Sequence, residues 1–254
     1  MDITTIGGLL LGIGSVLLAY SMEGGQLSAV FQAPAMILVI FGTFGAAIVT
    51  TSVDTLRSIP SLIRIAFRKK EPDPRVIVDQ IGEMSERARR NGILGIEGYI
   101  KRIENPFFQQ ALKLVVDGTE MTALKGLLET EIDNLTERHQ AGILLFRKLG
   151  GFSPTMGIIG TVLGLIQSLA NAGDTSQMAS SIATAFIATL WGVALANLVY
   201  LPISDKLKRK HDAEVHTLRL ILEGMIAIQS GENPRVIRSK LSSFVVPEKR
   251  QYVY

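Results

Sequence analysis

Charge-free stretches and amphipathic helical segments alternate along this chain. Residues 3–22, 24–53, 149–173 and 175–204 contain no charged side chain, and a single acid separates each pair, Glu23 in the first and Asp174 in the second. A helix of about 20 apolar residues crosses the ~30 Å hydrocarbon core of a bilayer. The pattern predicts two membrane hairpins, with spans near 3–22, 33–53, 150–172 and 178–203.

The remaining segments show helical rather than alternating periodicity. Residues 55–70 set Leu56, Ile59, Leu62, Ile63 and Phe67 against Arg57, Arg64 and Arg68, as an amphipathic interfacial helix does, and Glu71-Pro72-Asp73-Pro74 breaks it. A second helix carries Val76, Ile77, Ile81 and Met84 and stops at Asn91-Gly92. A third carries Ile93, Ile96, Tyr99, Ile100 and Ile103 up to Asn105-Pro106, and a fourth runs from Phe107 to Val116, before Asp117-Gly118. From Glu120, Leu124, Leu128, Ile132 and Leu135 recur at helical spacing. No strong breaker follows until Gly150-Gly151, which leaves room for one rod running into the third span. Residues 205–230 extend the fourth span in the same way, and a short helix at 235–242 and an irregular tail finish the chain. The fold expected is an all-α membrane protein, divided as 1–54 (hairpin), 55–148 (cytoplasmic helical domain), 149–204 (hairpin) and 205–254 (cytoplasmic helices and tail).

Charge orients this scheme. All 26 Lys and Arg fall within 57–148 or 206–254. The positive-inside rule makes those flanks cytoplasmic, the hairpin tips external and both termini cytoplasmic. Asp2 is the only charge ahead of the first span, so the basic n-region of a cleaved signal peptide is missing. The isoelectric point near 9.2 reflects basic residues beside the spans, where they meet anionic lipid, rather than a nucleic-acid surface. Without cysteine there is no disulfide, thiolate nucleophile or cysteine-based metal site.

The spans carry hydroxyls and amides but no Asp, Glu, Lys, Arg or His. A carrier of protons or cations ordinarily needs an ionisable group near mid-membrane. Either this chain moves no ion, or a partner supplies the carboxylate. Thr184, Ala188, Gly192 and Ala196 follow one another at four-residue steps in the fourth span, and Gly160 and Gly164 form a G-x-x-x-G pair beside Thr161 in the third. Small residues at such spacing let helices pack closely. Thr161 and Thr189 either bond their own i−4 carbonyls or line a polar seam. Pro154 is expected in the first turn of the third span, where proline is tolerated, and Pro202 near the end of the fourth, where it kinks the helix. No Walker A pattern or G-x-S-x-G elbow is present, Gly12-Ile13-Gly14 is followed by Leu17 instead of the next glycine, and His139, His211 and His216 lie in charged amphipathic stretches. No enzyme, cofactor or resident metal is expected.

The run 153–164, SPTMGIIGTVLG, resembles the start of the third span of flagellar stator A subunits of the MotA/PomA type. So do Ala188-Thr189-Leu190-Trp191-Gly192, the stretch 201–207 (LPISDKL), the segment 137–142 (ERHQAG) and the stretch 88–97 (ARRNGILGIE), in the family's order and spacing. The resemblance implies a ring, a pentamer in the family, around the membrane helices of B subunits (MotB/PomB) that carry the ion-binding aspartate. It implies inward cation flow driving rotation in the bacterial inner membrane, and contact with the rotor protein FliG through charged residues matching Arg89 and Glu97, with Arg90 adjoining. Thr161 and Thr189 match the sodium-type pattern and so favour Na⁺ over H⁺; Ala188 departs from it, standing where that pattern has a further Thr. Two other readings are an ExbB/TolQ-type energiser of outer-membrane processes, a family with typically three spans, and a non-conducting membrane scaffold.

Overall fold

Turns rich in glycine, proline and asparagine set the order of elements. The computed structural model describes residues 3–68 and 73–245, and every regular element among them is helical. Helix α1 (Ile3–Met22) ends at a turn containing Gly24, at φ +82°, where a side chain is disfavoured. A short turn, α2 (Leu27–Val30), leads to α3 (Ala33–Val49). Helix α4 (Val53–Arg57) is capped by Ser52, whose hydroxyl accepts from the Thr55 N–H, and is followed by α5 (Ile59–Phe67). Helix α6 (Pro74–Asn91) starts on the Asp73 carboxylate and stops at Gly92, at φ +74°. A 3₁₀-helix (Ile93–Arg102) and α7 (Pro106–Val116), capped by Asn105, come next. Then follow α8 (Met121–Ala170), α9 (Thr175–Ala194), a π-helical turn (Leu195–Tyr200), α10 (Leu201–Gln229) and α11 (Pro234–Ser242).

Several expectations change. Three helical stretches are long and apolar enough to cross a membrane: α1, α8 and the continuous run Thr175–Gln229. The apolar helix α3 is shorter, at 17 residues, and the span expected over 33–53 ends at Val49. Thr50 leaves helical geometry at φ −109° and ψ 11°, and the Lys148 ammonium donates to its carbonyl at 2.6 Å, satisfying a main-chain acceptor where the helix stops. At 1.5 Å per residue α3 rises about 25 Å, a few ångströms short of a typical bilayer core. The expected third soluble helix is a 3₁₀-helix. Its apolar positions Ile93, Ile96 and Tyr99 already recur every three residues, and Gly92, Gly95 and Gly98 occupy another ridge at the same step. A three-residue turn eclipses side chains at i and i+3, and glycine relieves that crowding. Pro154 lies well inside α8, not in a first turn, because α8 runs unbroken for 50 residues. The breaker at 71–74 lies partly, and the tail beyond 245 wholly, outside the described residues.

The chain packs as two compact units. One takes the described residues up to 68 with His139–Arg209; the other takes 73–138 and 210–245. In the first, Ile143, Phe146, Leu149, Tyr200, Ile203 and Leu207 form a buried cluster, against which Leu56, Ile59, Leu62 and Phe67 pack. The apolar stripe expected to lie on lipid is thus largely covered by the protein itself, and Ile63 and Ile65 stay exposed. The second unit buries Ile81, Met84, Phe108, Leu112, Leu124, Leu128, Ile221 and Met225 in one core. Helix α11 is held to α6 by Arg238, which lies over Gly82 and bridges Asp79 and Glu86 at 3.8 and 3.1 Å.

Candidate functional site

The small residues singled out in the sequence face one another. On α8, Gly157, Gly160 and Gly164 oppose Ser181, Ala185, Ala188 and Gly192 of α9. A β-carbon on Gly192 would stand 2.7 Å from the Ser153 carbonyl oxygen and 3.0 Å from the Gly157 Cα. One on Gly160 would stand 2.5 Å from the Ala188 methyl, and one on Gly164 2.7 Å from the Ala185 methyl. The backbones therefore approach to a distance that side chains forbid. Ala196 is buried on the same helix run, past the start of the π turn. Beside the seam, a groove of about 330 Å³ opens between α3, α8 and α9, lined by Leu38, Gly160, Leu163, Gln167 and Thr184.

One polar feature of the seam lies beside Pro154. Lacking an N–H, the proline leaves the Gly150 carbonyl without its usual helical donor. The neighbouring Ser153 hydroxyl donates across to the Gly192 carbonyl at 2.8 Å and is fully buried. Sequence reasoning did not identify Ser153 as a cross-helix tie. Nothing in the local sequence says whether such a hydroxyl bonds its own helix or the next one.

Thr161 and Thr189 meet in this close approach. Their hydroxyls are hydrogen-bonded to each other. The Thr161 Oγ1 lies 3.1 Å from the Gly157 carbonyl oxygen and 3.2 Å from that of Ala185; the Thr189 Oγ1 lies 3.4 Å from the Gly157 oxygen. For Thr161 both alternatives left open by the sequence hold, since it bonds its own i−4 carbonyl and reaches across the seam, whereas the carbonyl bond of Thr189 crosses to Gly157. Four oxygens, two hydroxyl and two carbonyl, gather at one half-buried point. The nearest flank is braced from α2 and its surroundings. The Trp191 indole N–H donates to the Val30 carbonyl at 2.8 Å, its ring meets Phe31 at 5.5 Å, and the Thr184 hydroxyl donates to the Gln32 side chain. The contacts of Trp191 and Gln32 were not legible in the sequence, because nothing local marks pairs 161 and 152 residues apart. At the other end of α9, Pro202 is preceded by the π turn, so the expected kink takes the form of an inserted residue. Outside the spans, Asp174 caps α9: its carboxylate accepts from the backbone and the side chain of Gln177 and from the Ser176 N–H, which holds its pKa below the usual value.

The charged candidates lie in the other unit. Arg89 and Arg90 occupy the exposed last turn of α6, and Glu97 the exposed 3₁₀-helix. Among the described residues no salt bridge joins these three to a partner or to one another. The Tyr99 ring, with Arg87 and Arg102 5.6 and 6.0 Å from its centroid, ties the two elements that carry them. The geometry keeps this charge unpaired and presented to solvent.

The model of the MotA/TolQ/ExbB proton channel family matches residues 99–220, and that of the motility protein A N-terminal region matches residues 6–92. Chemotaxis protein PomA of Vibrio alginolyticus is 34% identical over 250 residues, which cover 98% of each chain. Motility protein A of Borreliella burgdorferi is 32% identical over 250 residues, 98% of this chain and 96% of that one. Among solved structures, C. jejuni MotAB superposes with a TM-score of 0.93 at 27% identity over the whole of both chains, and the flagellar MotAB stator complex of Bacillus subtilis with 0.92 at 28% over 98% of each. The resemblance seen in the span motifs therefore extends along the whole chain, and the protein belongs to the MotA-type stator proteins of the MotA/TolQ/ExbB proton channel family.

Proposed function

We propose that this chain is the A subunit of a flagellar stator that couples inward cation flow, Na⁺ in preference to H⁺, to torque on the rotor. The observation that carries the reading is the oxygen cluster of Thr161, Thr189, Gly157 and Ala185 within spans that hold no acid. A cation shedding water takes hard oxygen ligands of this kind. Neutral oxygens alone do not balance its charge in a low-dielectric seam, so a carboxylate must come from a neighbour. A B-type subunit with a membrane aspartate supplies it; the solved relatives are described as MotAB assemblies, which supports a two-subunit machine. Ala188 is buried with its methyl where a Gly160 side chain would be, which accounts for a small residue at that position and leaves two hydroxyls at the cluster.

In this reading α3 is the second of four spans, shortened at its inner end, and both chain termini and the 73–138 and 210–245 unit lie in the cytoplasm. Arg89, Arg90 and Glu97 contact the rotor protein FliG electrostatically. The A chain forms a ring, five in the family, embedded in lipid of the inner membrane. The test is rotation speed of cells carrying this chain with its B partner as the only stator, measured against external sodium at constant membrane potential. Speed that rises and saturates with sodium, and falls several-fold in Thr161→Ala and Thr189→Ala, is expected. A speed indifferent to sodium in the native motor overturns the ion assignment.

A further inference from the structure

The π turn that interrupts the fourth span carries an amide on its outer face. Asn197 is exposed within Leu195–Tyr200, eight residues beyond Thr189 and five before Pro202. Its Nδ2 donates to the Val193 carbonyl at 3.0 Å, so Oδ1 is the end of this exposed amide that the bond leaves available as an acceptor. The main chain adds a second oxygen. In the π register the Leu201 N–H bonds the Ala196 carbonyl, five residues back. The next donor in that register, due at the Asn197 carbonyl, belongs to Pro202, which has no N–H. Asn197 thus combines a side-chain oxygen with a main-chain oxygen whose donor in the π register is missing.

Such a pair is costly against hydrocarbon, and irregular helix at membrane depth is tolerated where it faces protein or lines a hydrated path. Freed carbonyls of broken membrane helices are a recurring means of holding sodium ions. Four-residue steps lead from Thr189 through exposed Val193 to Asn197, and the wider π turn rotates Asn197 back toward the flank of Thr189. The rise between the two is about 12 Å at 1.5 Å per residue. Residues 190–196 between them carry no side-chain oxygen, so an ion leaving the hydroxyl cluster meets none on this helical run before Asn197.

We propose that Asn197, through Oδ1 and the carbonyl oxygen released by Pro202, is a second cation-coordinating station on the cytoplasmic side of the Thr161–Thr189 cluster. The inference rests on the reading of that cluster as an ion path. It assigns Asn197 to ion exit, so its loss limits throughput more than it changes the affinity at entry.

The experiment uses the complete stator as the only one in a motile cell. Asn197→Leu is expected to lower speed at saturating sodium at least three-fold, with the half-saturating sodium concentration within two-fold of native, and Asn197→Ser, which retains an oxygen, to restore at least half of the lost speed. Native speed in Asn197→Leu overturns the proposal; so does an Asn197→Ser motor as slow as Asn197→Leu, the result of a packing role. Because the chain has no cysteine, Asn197→Cys supplies a unique thiol that does not depend on rotation. Reaction with a charged methanethiosulfonate reagent in assembled complexes, at a rate at least ten times that of Leu11→Cys in α1, is expected. Labelling no faster than Leu11→Cys overturns the proposal even if Asn197→Leu fails to assemble. The native response to sodium judges the ion assignment separately: a proton-driven native motor overturns that assignment, while thiol accessibility still decides whether Asn197 faces the path.

Discussion

Replacing Gly192 by alanine puts the α8–α9 approach to a direct test. The added β-carbon stands 3.0 Å from the Gly157 Cα and 2.7 Å from the Ser153 carbonyl oxygen, and both obstacles are backbone. Carbon atoms pack at about 3.5 Å or more, so the helices must part by roughly 0.5 Å. Rotating a side chain gives no relief, because none is in the way. The same displacement stretches the buried 2.8 Å bond from the Ser153 hydroxyl to the Gly192 carbonyl. Overpacking costs about 1–3 kcal/mol and a weakened buried hydrogen bond about 1 kcal/mol more, a total of roughly 2–4 kcal/mol. Thermal unfolding of the purified stator complex in detergent reads the stability loss, and single-motor rotation speed reads the seam's function. Both are expected to fall, since the Thr161–Thr189 pair depends on the same separation. Gly126→Ala is the control: it lies exposed on α8 with nothing within 4 Å of the added carbon, and gains about 0.5–1 kcal/mol from helix propensity. A Gly192→Ala complex with native melting and native speed would refute the reasoning, as would a Gly126→Ala complex equally damaged.

Three further outcomes are expected. Arg89→Glu combined with Glu97→Arg leaves membrane insertion and complex yield native but lowers torque at high viscous load; native torque under load removes both from the rotor contact. Phe108→Ala, at a site 1% exposed, destabilises the 73–138 and 210–245 unit by about 3–5 kcal/mol and accelerates amide exchange in α7, which mass spectrometry reads directly; unchanged exchange counts against the assigned core. Asp174→Ala removes the α9 cap. Because the folded pKa of Asp174 is lowered, chiefly by the Gln177 N–H, its contribution is fully present above the unfolded value near 3.9 and is lost as pH falls through the folded one. The melting difference between native and Asp174→Ala is therefore flat from pH 8 to about 5 and shrinks below about 4; a difference that changes between pH 6 and 8 contradicts the assignment.

Charge and period made most of the helices legible. The empty stretch 3–22 is α1, and Asn91-Gly92, Asn105-Pro106 and Asp117-Gly118 end or start helices where such residues must, since cap and left-handed geometry are local properties. The candidate seam was half legible. The spacing of Gly160, Gly164, Ala188 and Gly192 announced close packing, but the spacing alone cannot say which helix each face meets, and Thr161 and Thr189 remained equally consistent with local bonds.

Sequence by itself determined the all-helical class, the absence of any acid in the spans and the segregation of basic residues, because each is a property of composition along the chain. Only the tertiary structure decided the length of α3, the position of Pro154 deep inside α8, the 3₁₀ form of 93–102 and the π turn at 195–200. It also decided that two threonines 28 residues apart share a hydrogen bond. For the end of α3 and for the seam the physical reason is the same. Where a helix ends and what its face meets depend on which distant group satisfies its backbone and fills its grooves. The Lys148 ammonium on the Thr50 carbonyl and the Ser153 hydroxyl on that of Gly192 are contacts that exist only after the chain has folded.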